Sequence, residues 1–183
     1  MSLLRKLGFG GGEGAADEAA GAGDTETVRK IVARLEALPP ERARYVAAFA
    51  YVLSRVAHAD LAITADETRR MEEIVRTRGH LPDDQAVLVV EIAKAQSRLF
   101  GGTENFLVTR ELAGLATAEQ KRELLDCLFS VAAADGGISG AEEAQVRQVA
   151  SELGFDHAEF VAARRAWREH REVLRGLPGR REG

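Results

Sequence analysis

A twelve-residue segment occurs twice in this chain, and this repetition restricts the fold more than any other feature of the sequence. Residues 56–67, Val-Ala-His-Ala-Asp-Leu-Ala-Ile-Thr-Ala-Asp-Glu, match residues 131–142, Val-Ala-Ala-Ala-Asp-Gly-Gly-Ile-Ser-Gly-Ala-Glu, at a constant shift of 75 residues. Helical patterns flank both copies at the same shift, which predicts duplication of a four-helix unit. Two copies are too few for a solenoid, so we expect the two units to pack about a pseudo-twofold axis in one all-α domain.

Apolar residues at helical spacing predict a single bundle of seven to eight helices within residues 24–176. We expect the first helix to begin at its cap residue Asp24, and Pro82 to occupy the first position of the fourth. The third helix is predicted to end at a left-handed Gly79 and the seventh at Gly154. Capping boxes, in which a cap residue precedes Glu or Gln by three positions, are predicted at four helix starts, namely Thr64, Thr117, Ser139 and Asp156.

The two ends of the chain differ from the middle in composition. Residues 1–23 are rich in Gly and Ala and cannot bury a core, so we expect a flexible linker there, and the start is a poor signal peptide. Residues 177–183 predict a flexible basic tail. No segment contains the roughly twenty apolar residues that cross a bilayer, although both ends offer a basic segment for peripheral contact with a membrane surface.

Charge and cysteine content exclude several classes of protein. A net charge of -4 offers no overall attraction for nucleic acid, so we expect no nucleic-acid partner. The single Cys127 rules out an intramolecular disulfide, and its place among leucines predicts a reduced and buried thiol. These observations favour a cytoplasmic protein.

The repeated segment resembles the second half of an EF-hand calcium loop, but the standard loop is excluded. If Asp135 is position five of the twelve-residue loop, positions one and three fall on Val131 and Ala133, which have no side-chain oxygen. A capping box accounts for Ser139 and Glu142 without any metal.

The Asp residues four positions before each cap need a separate explanation. Asp60 and Asp135 can turn the chain by hydrogen bonding to their own backbone. Alternatively, each Asp converges with the Glu across the short loop, and the carboxylates then require a cation or a proton to offset their repulsion. Ligation by oxygen alone would suit calcium, magnesium or manganese, in two sites or in one shared site.

Motifs of the common enzyme classes are missing from the sequence. A di-iron bundle needs Glu three residues before His, and no acidic residue holds that position before any of the four histidines, which are His58, His80, His157 and His170. No zinc motif His-Glu-x-x-His, phosphate loop or nucleophile elbow occurs. We therefore expect a protein that is not an enzyme.

The twin pattern Ala-Asp-x-x-Ile-[Ser/Thr]-x-x-Glu between helices resembles the TerB-like family of bacterial tellurite-resistance proteins, a family also related to the N-terminal region of DjlA-type co-chaperones. The resemblance covers about Thr27 to Leu174. It implies an all-helical domain whose two acidic loops hold a divalent cation, such as calcium, magnesium, manganese or zinc. It also implies a cytoplasmic role in stress responses, peripheral to the inner membrane face, with protein partners.

Carried over by position, the resemblance assigns metal ligation to two acids in each copy, Asp60, Glu67, Asp135 and Glu142. The second copy keeps the family's Gly after the Asp, as Gly136, whereas the first copy has Leu61 there. The alternative is a metal-independent interaction scaffold of co-chaperone type, in which the acids serve only as caps and turns.

Overall fold

The residues Tyr45 to Val56 are all buried, although a helix at the surface of a domain would bury only one face. The computed structural model describes residues 21–57, 64–99, 105–134 and 136–170. Within these ranges the chain forms helices and no strand, which confirms the all-α prediction. In chain order they are α1 (Gly21–Glu36), α2 (Pro40–Val56), α3 (Ala65–Thr77), α4 (Asp83–Leu99), α5 (Asn105–Leu115), α6 (Ala118–Ala132), α7 (Gly140–Glu152), α8 (His157–Arg165) and a 3₁₀ turn (Arg168–His170).

From Tyr45 onward, helix α2 is buried on all sides because five other helices pack around it. It contacts α1, α4, α5, α6 and α7, while α3 packs on α4 and α6, and α8 packs on α6 and α7. The fully buried large side chains come from both halves of the chain and form one core, including Phe49, Leu53, Leu88, Ile92, Leu112, Leu124, Leu128 and Phe129. None of the described helices combines the length and apolar content that crossing a bilayer requires.

In three of the four helix pairs of the predicted repeat, at least one helix end lies within one residue of the position that the shift of 75 gives. Helices α3 and α7 have the same length of 13 residues and begin 75 positions apart, at Ala65 and Gly140. At the same shift α2 and α6 end within one residue of each other, and α4 and α8 begin within one residue. At this shift α2 corresponds to α6 and α3 corresponds to α7. The contact between α2 and α7 therefore has a counterpart in the contact between α6 and α3. The duplication of the whole four-helix unit stays a prediction.

Several predicted boundaries are wrong by up to one helical turn. Helix α1 begins at Gly21, so Asp24 lies inside the helix and not at the residue before it. Pro82 precedes α4, and its carbonyl accepts the Ala86 N–H at 2.8 Å, as a cap residue does. The sequence pattern predicts an eighth helix that contains Phe160, Val161 and Trp167, but Trp167 follows α8, which ends at Arg165.

Gly79 is needed at the end of α3, although for a different reason from the predicted one. The left-handed residue here is His80, with φ of 50°, and Gly79 has no positive φ. A Cβ on Gly79 would lie 2.6 Å from the Val75 carbonyl oxygen and 3.1 Å from the Phe49 ring. The glycine therefore allows the end of α3 to approach the central helix. Gly154, by contrast, is left-handed after α7, with φ of 93°.

Replacing Gly79 with Ala should therefore destabilise the fold. Because both the backbone and a core ring would have to shift, we expect a loss of roughly 1–3 kcal/mol in the free energy of unfolding. Urea denaturation followed by circular dichroism measures this loss. The matched control is Gly114→Ala in α5, where nothing lies within 4 Å of the new Cβ and the change should be neutral or stabilising. Equal stability of both variants would contradict the close-approach explanation.

Candidate functional site

The first acidic corner is the start of α3, and a complete capping box forms it. The Thr64 backbone N–H donates to Glu67 Oε2 at 2.6 Å, and the Glu67 backbone N–H donates to Thr64 Oγ1 at 3.2 Å. This confirms the predicted cap. Asp60 lies outside the described residues, so its predicted ligand role stays a prediction.

The hydrogen bond from the Thr64 backbone lowers the pKa of Glu67 below its usual value, and the Thr64 side chain lowers it further. A depressed folded-state pKa means that the capping bond stabilises the fold above the unfolded pKa of Glu and is lost as the pH falls through the folded value. At neutral pH, Glu67 is thus a carboxylate held at the helix start. This ionised carboxylate is the form of Glu67 that can bind a cation.

The second acidic corner repeats this arrangement at the start of α7. The Ser139 backbone N–H donates to Glu142 Oε2 at 2.8 Å, and the Glu142 backbone N–H donates to Ser139 Oγ at 3.2 Å. Gly136 has φ of 100°, a conformation that favours glycine, which accounts for the Gly after the Asp in this copy. Asp135 lies outside the described residues, so its predicted role also remains a prediction.

The second corner is also tied to the C-terminal end of the described chain. The Ile138 backbone N–H donates to the His170 carbonyl at 2.6 Å, and the Ile138 side chain is buried. Trp167, which packs on His170 with ring centroids 5.4 Å apart, joins this turn to the core. The loop that carries the second motif therefore depends on contacts made about thirty residues later in the chain.

Capping boxes alone do not identify a metal site. Two further boxes, at Thr117 with Gln120 and at Asp156 with Glu159, have the same geometry but lack the preceding Asp and Ile of the motif. A carboxylate offers about four lone-pair positions, and capping occupies one of them. The caps therefore fix Glu67 and Glu142 while leaving each carboxylate able to accept a further ligand.

The structure places the two Glu residues that are predicted as ligands on different helices, α3 and α7. Among the described residues, which exclude Asp60 and Asp135, no group of three or more His, Cys, Asp or Glu side chains is arranged to hold a metal ion.

Cys127 is buried, as predicted, and burial raises the pKa of its thiol far above the usual value. A neutral thiol is a poor nucleophile and a poor metal ligand. Its position among Leu124, Leu125 and Leu128 of α6 makes it a core residue.

Sequence reasoning missed a buried ion pair that connects the two halves of the chain. Arg55 of α2 contacts both carboxylate oxygens of Glu152 in α7, at 2.5 and 3.2 Å, and the side chains are only 4% and 7% exposed. Arg55 also donates to Thr109 of α5 at 2.7 Å. Burial raises the pKa of Glu152, but the hydrogen bond and charge of Arg55 outweigh this effect, so the pKa lies below its usual value. The one sequence signal was an arginine inside an otherwise apolar helical run.

A known protein family matches the part of the chain that contains both acidic corners. The family model for "Tellurite resistance protein TerB" matches residues 46–165, a range that extends from the middle of α2 to the end of α8 and includes both acidic corners. Searches of curated proteins and of solved structures found no match. The matched range is well over half of the chain, and both copies of the motif lie inside it. The chain therefore belongs to the TerB family of tellurite-resistance proteins.

Proposed function

We propose that this domain binds a divalent cation at its acidic corners and acts through protein contacts in a stress response, without catalysing a reaction. The observation that carries the proposal is the repeated corner within a TerB family member. In both copies the motif Glu is fixed at a helix start by its cap. The proposal includes a cytoplasmic location and the four ligands that the family resemblance implies, Asp60, Glu67, Asp135 and Glu142.

Electrostatics at a helix start make the paired acids essential to this proposal. The N-terminal ends of α3 and α7 carry partial positive charge, which opposes a nearby cation. One carboxylate that is already bonded to a backbone N–H only partly offsets this charge. A bound cation therefore needs the Asp of the motif as well as the Glu, and neutralising the Asp should be enough to abolish binding.

The first test is the melting temperature of the purified protein with calcium, magnesium, manganese and zinc. A ligand that binds only the folded state at 100 times its dissociation constant stabilises the protein by about 2.7 kcal/mol. For a domain of this size that energy corresponds to an increase of roughly 5–10 °C. Without added ions, the variant Asp60→Asn/Asp135→Asn should have the same melting temperature as the wild type. With ions, its melting temperature should not increase.

Substitutions of the motif Glu residues separate metal binding from capping. The box at Thr117 uses Gln120, so Glu67→Gln and Glu142→Gln should retain the cap geometry while removing the negative charge. We expect these variants to fold normally and to lose the response to ions. The matched control is Glu159→Gln, which makes the same change in a capping box without the motif. An equal loss of the ion response in the control would contradict a site at the corners.

The metal-independent scaffold of co-chaperone type is the second candidate. It is favoured by the capping bonds themselves, which give Glu67 and Glu142 a complete structural role. If no cation changes the melting temperature of the wild type, and Asp60→Asn and Asp135→Asn leave both stability and partner binding intact, this second function replaces the first.

A further inference from the structure

A pocket of about 610 Å³ lies between α3, the C-terminal end of α6 and the 3₁₀ turn. Its lining includes Arg69, Arg70, Ile74 and Arg78 from α3 and its end, with Ala133 and Trp167 opposite. The pocket is open to solvent along one side. An enclosed cavity would bury most of a small ligand, whereas an open one of this size suits a segment of a larger molecule.

The charge of the pocket is opposite to that of the chain as a whole. Three arginines line it, and the acidic residue among its lining, Glu73, forms an ion pair with Arg76. The chain carries a net charge of -4, so this positive surface is a local reversal. A local cluster of arginines beside an apolar surface is the arrangement that recognises acidic segments of proteins.

Asp126 holds two residues of the pocket lining, Arg78 and Trp167, in place. Asp126 accepts hydrogen bonds from Arg78 at 3.2 Å and from the Trp167 indole N–H at 3.1 Å. The Arg78 guanidinium also lies over the Trp167 ring, 5.8 Å from its centroid. An ordered aromatic wall costs little conformational entropy when a ligand binds.

The other two arginines are available to a ligand. Arg69 pairs with Asp66 at 2.6 Å, but these side chains are 72% and 79% exposed, and such surface pairs contribute little stability. Arg70 is exposed and forms no hydrogen bond or ion pair with the residues that the structure describes. The pair of Arg78 with Asp126 is also a surface pair, with side chains 53% and 37% exposed. An incoming carboxylate can therefore bind at any of the three arginines without breaking a strong interaction.

The spacing along α3 indicates the shape of the ligand. Arg70, Ile74 and Arg78 recur at intervals of four, so the two charges are about 12 Å apart along a helix that rises 1.5 Å per residue. An extended peptide covers that distance with about four residues. We propose that this pocket binds an acidic segment of a protein partner, in which two carboxylates about four residues apart flank an apolar side chain. The inference rests on the protein-contact part of the proposed function and is independent of the cation.

The test uses the peptide acetyl-Glu-Ala-Leu-Ala-Glu-amide and the fluorescence of Trp167, which is the one tryptophan in the chain. The titration is done in a chelator, so failure of cation binding cannot affect its result. We expect a saturable change in fluorescence at millimolar peptide or below, and no change with the peptide in which Gln replaces both Glu residues.

Charge-matched variants of the protein make this test specific. Arg70→Gln should weaken binding about three- to tenfold, as loss of one solvent-exposed hydrogen bond does. Arg122→Gln removes the same charge from an exposed position on α6 outside the pocket and should leave the affinity unchanged. The proposal is overturned if millimolar peptide leaves Trp167 fluorescence unchanged, if the Gln peptide binds equally well, or if both variants weaken binding equally.

Discussion

Glu152→Gln should lower the free energy of unfolding by about 3–5 kcal/mol, the largest effect that we expect from a polar substitution in this protein. The substitution leaves the Arg55 guanidinium buried, at 4% side-chain exposure, without the carboxylate that now contacts it at 2.5 Å. For a domain of this size the melting temperature should fall by roughly 6–20 °C. Differential scanning calorimetry of the variant and the wild type measures this change.

A double substitution shows whether the loss arises from an uncompensated charge. Arg55→Met/Glu152→Leu removes both charges, and such apolar replacements of a buried pair are often neutral. This double variant should be more stable than Glu152→Gln. Asp66→Asn breaks an exposed pair and serves as the control, since its effect should be too small to resolve. A Glu152→Gln variant as stable as the control would contradict a stabilising role for the pair.

The same pair predicts how stability depends on pH. The pKa of Glu152 is lower in the folded protein than in the unfolded chain, because Arg55 favours the carboxylate. The pair therefore contributes stability above the unfolded pKa of Glu, near 4.3, and this contribution is lost as the pH falls through the folded value. Acid unfolding of wild type and Arg55→Met/Glu152→Leu should differ accordingly, with the wild type losing more stability on acidification.

Phe129→Ala should also cost about 3–5 kcal/mol, because it creates a large cavity in the core. The Phe129 ring is fully buried and stacks on Phe160 of α8 and on Trp167, with centroids 5.9 and 6.3 Å away. These contacts attach α8 and the following turn to α6. Urea unfolding, followed by circular dichroism and by the fluorescence of Trp167, measures the loss.

The expected effect of Phe129→Ala extends to the second acidic corner. The turn that follows Trp167 carries the His170 carbonyl, which accepts the Ile138 N–H beside that corner. Loosening Trp167 should therefore weaken any cation response of the second corner more than that of the first. Phe106→Ala is the control, because that ring is 50% exposed and its removal leaves no cavity. Similar stability of the two variants would contradict the role of Phe129 as the anchor of this region.

Local signals in the sequence predicted the features that depend on a few neighbouring residues. All four capping boxes form as predicted, since each needs only a cap residue and an acceptor three positions later. Features that depend on distant residues were not predicted. Arg55 and Glu152 are 97 residues apart, and the space around Gly79 is set by Phe49 of another helix. Periodicity along one helix contains no information about such contacts.

The same distinction applies to the candidate site. The sequence was sufficient to place Glu67 and Glu142 at helix starts, because capping is local. It could not place the pocket, whose walls come from α3, α6 and the turn at Trp167. The predicted position of Trp167 was itself wrong: this residue follows α8, and its indole N–H donates to Asp126, 41 residues earlier in the chain, a contact that helical spacing cannot indicate.

Manganese titration followed by NMR tests most directly whether the two corners bind a cation. A bound manganese ion broadens the signals of nearby amides. We expect substoichiometric manganese to broaden first the amides at Thr64 to Glu67 and at Ser139 to Glu142, while amides at Asp156 to Glu159, in a capping box without the motif, stay sharp. Broadening that is absent, uniform, or equally strong at Asp156 to Glu159 would contradict cation binding at the two corners.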